Sequence, residues 1–132
     1  MKSFIRAITL PLLFLFISGF GPGQTPQDAP KDVNVSIAKV ENVWKVVLTG
    51  TTTTEVHVVE GQKIIFHAEG TDVYLQFDDS NLFGGHSKKI KSGKTLTLGV
   101  GQVEKGVYTY SAFCDGPKEF AVGDSPPKII VD

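Results

Sequence analysis

Val56-His57-Val58-Val59-Glu60-Gly61-Gln62-Lys63-Ile64-Ile65-Phe66-His67 places two short runs rich in β-branched and aromatic residues on either side of Glu-Gly-Gln. Such side chains fit a pleated, half-buried surface, and a glycine between two such runs supplies the backbone freedom of a turn. The stretch therefore reads strand, turn, strand. The same pattern continues outward. Upstream, Val33, Val35 and Ile37 alternate with Asn34, Ser36 and Ala38, and Val43–Leu48 is a denser run around Trp44. Downstream come Val73–Phe77, Thr95–Val100, Val107–Phe113 and Lys128–Val131, each bounded by Gly, Asp, Asn or Pro. No segment holds an apolar 3.6-residue period long enough for a helix. About eight short strands in roughly a hundred residues predict an all-β, antiparallel sandwich or barrel.

The first residues read differently. Met1–Arg6 is a short basic start, Ala7–Ile17 is almost wholly apolar, and Ser18, Gly19, Gly21, Pro22 and Gly23 follow. That order is the order of a secretory signal peptide, and the apolar run is shorter than the ~20 residues of a spanning helix. Residues 1–23 are thus expected to be removed, with cleavage between Gly19 and Gln24 and no stable membrane anchor afterwards. Residues 24–32 are polar and Pro-rich and read as a flexible lead-in. One folded domain is expected over 33–132, in a periplasmic or extracellular location.

Composition narrows the function. The 132-residue chain has 13 Lys and Arg against 14 Asp and Glu, and loss of Lys2 and Arg6 with the leader makes the remainder more acidic. A weakly acidic body lacks the positive field that nucleic-acid binding requires. A single cysteine, Cys114, excludes an intrachain disulfide and a Cys-based structural zinc site. No nucleophile–base pair, spaced catalytic carboxylates or phosphate loop is present, so an enzyme is not expected.

Glu55–Asp132 resembles the cupredoxin-like domain, the plastocyanin and azurin type. Val56–Phe66 is similar to that family's strand, Gly turn and strand. Lys91-Ser92-Gly93-Lys94-Thr95-Leu96-Thr97-Leu98 is similar to a later turn and strand, and Gly106-Val107-Tyr108-Thr109-Tyr110 to the strand that runs into its copper-ligating cysteine. The resemblance implies a Greek-key β-sandwich. It also implies where a copper site would stand, since blue copper takes two imidazoles and a thiolate, with a weak axial Met. By that alignment Val73 occupies the place of the first His and Ala112 that of the cysteine, with Cys114 two residues further on. After Cys114 the chain reads Asp115-Gly116-Pro117-Lys118-Glu119-Phe120, without a His, and Met1 is the only methionine. The scaffold is expected without its metal and without any other cofactor.

His57 and His67 read as ordinary strand residues, and His86 as a loop residue after Phe83-Gly84-Gly85. Cys114 and His86 are the two candidate metal donors, a pair from which an altered copper site could be built. Otherwise Cys114 is an inert core thiol. Asp78-Asp79-Ser80-Asn81 lacks the ligand spacing of a calcium loop. Lys88, Lys89, Lys91 and Lys94 read as an edge-strand guard against aggregation. Asn34-Val35-Ser36 meets the glycosylation pattern, which matters only in a eukaryotic secretory host. The expected function is an exported, metal-free binding or interaction module for a protein or small-molecule partner. The alternatives are the altered copper protein and an immunoglobulin-like adhesion or assembly domain.

Overall fold

A computed structural model describes residues 31–123 and 126–132. The expected signal peptide and most of the expected lead-in lie outside these residues. The described residues form ten strands: β1 (Val33–Val40), β2 (Val43–Leu48), β3 (Val56–Val58), β4 (Lys63–Ala68), β5 (Val73–Phe77), β6 (Ser87–Ile90), β7 (Thr95–Gly99), β8 (Gly106–Cys114), β9 (Glu119–Phe120) and β10 (Lys128–Val131). None of the described residues is helical. The chain is an all-β sandwich, as the alternation predicts.

One sheet has the order β2-β1-β4-β7; the other runs β3-β10-β8-β5-β6, with β9 also paired to β8. The chain changes sheet at the Glu60-Gly61-Gln62 turn, so β3 and β4 do not pair with each other. Gly61 has φ +87° there, a conformation that suits glycine. Most pairings are antiparallel, but β1 with β4 and β3 with β10 are parallel. These two refine the antiparallel expectation. Two strands beyond the expected eight are short: β6, with two lysines among its four residues, and β9, with two residues.

Period-2 alternation sends one face of each strand inward. Val73, Leu75 and Phe77 of β5 are buried, as are Tyr110, Ala112 and Cys114 of β8. Between the sheets Phe66 meets Tyr110 edge-on at 5.9 Å and Phe77 at 6.3 Å. β1 departs from strict alternation. Ser36, on the outward face, is buried because the chain after β2 folds over it, with Ser36 Oγ 2.8 Å from Thr49 Oγ1. Val122 joins the sheets along one side: Val46 N donates to Val122 O and Val122 N to Trp44 O, at 2.9 and 2.8 Å.

Candidate functional site

The long strand β8 links two unlike ends of the sandwich. At its exit, Cys114 is fully buried and lies across from Val73 of β5 on one side and Glu119 of β9 on the other. Ala112 lies across from Leu75. The strand register sets Cys114, and not Ala112, beside Val73. Sequence counting along β8 alone could not reveal this, because only the partner strand fixes which residues meet.

The surroundings of Cys114 are closed by hydrogen bonds. Asp115 N donates to Asp72 O at 2.9 Å, and Gly116 N to Thr71 Oγ1 at 2.8 Å. The Asp72 carboxylate accepts from Ser92 N at 2.8 Å, and Lys118 Nζ reaches Asp115 Oδ1 at 2.8 Å. A Cβ on Gly116 would stand 3.0 Å from Thr71 Oγ1, so the exit turn packs directly on that hydroxyl. Burial, with a smaller contribution from Glu119, pushes the Cys114 pKa up to about 11. The charge that matters is Glu119 rather than the adjacent Asp115. A thiol held protonated in this way is a poor nucleophile and a poor ligand at neutral pH.

The structure does not bring Cys114 and His86 together. His86 Nδ1 donates to Phe77 O at 2.9 Å, at the other end of β5 from Val73. Four residue steps separate the two ends, roughly 13 Å. His67 lies on the outer face of β4, its Nε2 2.8 Å from Asn34 Oδ1. His57 is exposed between two carboxylates, Nε2 2.9 Å from Glu55 and Nδ1 2.9 Å from Asp132. Those hydrogen bonds, Glu55 first, hold its pKa above the ordinary imidazole value. The three imidazoles thus occupy three separate places. Among the described residues no group of three or more His, Cys, Asp or Glu side chains is arranged to hold a metal ion. The donor set at the β8 exit does not fit blue copper: it offers one protonated thiol facing an aliphatic side chain.

The opposite end is open and polar. Asp78, Asp79, Ser80, His86, Val107, Tyr108 and Thr109 line a depression of about 350 Å³, and an adjoining one of about 500 Å³ shares Asp79 and Tyr108 with it. Thr109 Oγ1 donates to the Asp78 carboxylate, and Tyr108 Oη to the Glu104 carbonyl. Asp79 Oδ1 accepts from Asn81 N at 2.8 Å, a local turn bond in place of a calcium loop.

A third feature escaped sequence reasoning. Across the outer face of the β5 sheet, Lys89, Tyr74, Phe113 and Phe120 form one cross-strand row. Lys89 Nζ lies 5.2 Å from the Tyr74 ring centre, and Phe113 and Phe120 meet edge-on at 5.1 Å. Tyr74 and Phe120 are 41% and 59% exposed, so the row offers apolar surface to solvent. The signal in the sequence was Phe120 itself, which only the short β9 pairing brings beside Phe113.

No protein-family model and no curated protein matches the chain. Among solved structures it is similar to amicyanin. A reduced mutant of amicyanin aligns at 20% identity and a TM-score of 0.48, over 83% of this chain and 88% of that one. A Cu(I) mutant of amicyanin, at 21% identity and a TM-score of 0.47, covers the same shares. No helix among the described residues is long and apolar enough to cross a membrane.

Proposed function

We propose that the chain is an exported, cupredoxin-like domain that serves as a metal-free binding module for a protein or small-molecule partner. The observation that supports this reading best is the Val73–Cys114 pair. An aliphatic side chain and a thiol kept neutral by burial fill the place where a copper site would need an imidazole and a thiolate. The remaining groups at that end are spent on holding the exit turn in place. The Tyr74–Phe113–Phe120 row, with Tyr74 and Phe120 open to solvent, is the surface that suits contact with such a partner.

Titration with Cu(II), followed by visible absorption, tests the reading. The native protein is expected to give no intense thiolate–copper band. A band that disappears in Cys114→Ala would overturn the proposal in favour of an altered copper site. Export has its own test. The mature protein isolated from its host is expected to begin between Phe20 and Thr25, whereas an intact Met1 in the membrane fraction would mean a retained anchor.

A further inference from the structure

A strand at the edge of a sheet presents unpaired N–H and C=O groups that can template another strand. The two strand orders end at four edges, β2 and β7 in one sheet and β3 and β6 in the other, and the two-residue β9 lies beside β8 as a short fifth. Three of the four are guarded. Val122 bonds to β2 through Val46 and Trp44. β6 carries Lys88 and Lys89, and β3 has only three residues, with His57 tied between Glu55 and Asp132. β7 has no such device. It reads Thr95-Leu96-Thr97-Leu98-Gly99, without charge or proline, and among the described residues no strand pairs with its outer side.

The hydrogen-bond phase of β7 is fixed at both ends. Gly61 N donates to Val100 O and Val100 N to Gln62 O, each at 2.8 Å, while Ala68 N donates to Lys94 O at 3.1 Å. Residues bonded inward alternate with residues facing outward in an antiparallel ladder. Lys94, Leu96, Leu98 and Val100 therefore bond toward β4. The N–H and C=O groups of Thr95, Thr97 and Gly99 point away from the sheet.

We propose that β7 pairs antiparallel with β7 of a second copy about a two-fold axis at Thr97, joining two four-stranded sheets into one. Thr97 exchanges both backbone bonds with the partner's Thr97, and Thr95 does so with the partner's Gly99. On the inner face Leu96, half-buried in one copy, meets the partner's Leu98. Apolar surface thus leaves water as the ladder forms. No charge within the strand opposes itself across the axis. The two ends of β7 differ in charge. Lys91 and Lys94 precede it, with the Asp72 carboxylate bonded to Ser92 N between them, while Glu104 and Asp79 line the depression beyond its exit, with Lys105 and Lys63 as the cations there. Antiparallel pairing sets the lysine turn of each copy toward the carboxylates of the other. The inference is independent of the metal status of the domain.

Sedimentation velocity of the full-length mature protein, from low micromolar to near-millimolar concentration, tests it. The native protein is expected to reach the mass of two chains. Thr97→Lys, which sets two ammonium groups side by side at the axis, is expected to return it to one chain with an unchanged circular-dichroism spectrum. Thr97→Val keeps the backbone ladder and is expected to remain paired. Hydrogen exchange of the native protein gives a second readout: the Thr97 and Gly99 amides are expected to be protected, more so as concentration rises. A single-chain mass throughout, a dimer that Thr97→Lys leaves intact, or Thr97 protection independent of concentration would each overturn the proposal. The last of these would assign the edge to a segment of the same chain.

Discussion

The two ends of β8 belong to one strand and behave as opposites. At the exit, the inward side chain is a buried thiol facing Val73, and Thr71, Asp72, Ser92 and Gly116 are consumed by bonds to one another. At the entry, Tyr108 and Thr109 stand over shallow polar depressions with Asp78, Asp79 and Glu104. A sandwich must close its core at both ends, and this one closes the exit with packing and the entry with polar loops. Packed groups resist change and solvated ones tolerate it, so chemistry at the two ends should differ in cost.

Alkaline pH should give the largest effect. The Cys114 pKa is raised by burial to about 11, so the unfolded chain gives up its thiol proton first as pH rises. Stability is therefore expected to be intact below about pH 9 and to fall by roughly 2–3 kcal/mol by pH 11. Cys114→Ala should remove that share of the slope, as read from urea midpoints across the range. A slope unaffected by the substitution would place the thiol in solvent and dissolve the contrast between the ends. Next in size, Val73→Ala should cost about 2 kcal/mol by leaving a cavity against Cys114. Val107→Ala, at 59% exposed beside the open end, should change the midpoint by less than about 0.5 kcal/mol. Equal costs would show that the exit is not tightly packed. An effect smaller than that of Val73→Ala sharpens the picture of how the exit is held. Thr71→Val keeps the shape but strands the Gly116 N–H, and should cost about 1 kcal/mol.

Much of the fold was legible because period-2 patterns state which face a residue takes. Val73, Leu75 and Phe77 announce an inward stripe, and the parity shared by Tyr108, Tyr110, Ala112 and Cys114 announces another. A pattern of faces does not name partners. For that reason the parallel pairings of β1 with β4 and β3 with β10 were invisible, and so was the step that sets Cys114 rather than Ala112 beside Val73. Lys88 and Lys89 fall on an edge strand, yet β6 itself went unseen, because two lysines in four residues hide the apolar signal that Ile90 alone supplies. Near the candidate site, the lack of a His after Cys114 could be read directly, since an absent residue type needs no geometry. The aromatic row could not, because Tyr74, Phe113 and Phe120 come from three strands.

The position of β10 bears on how the chain is made. It lies between β3 and β8, with Val56 paired to Ile129 across more than half of the sequence. One sheet therefore stays split until residues 128–131 have left the ribosome, and contacts of such long sequence separation form slowly. Until that strand arrives, the sides of β3 and β8 that it will join keep unpaired backbone groups open to other strands.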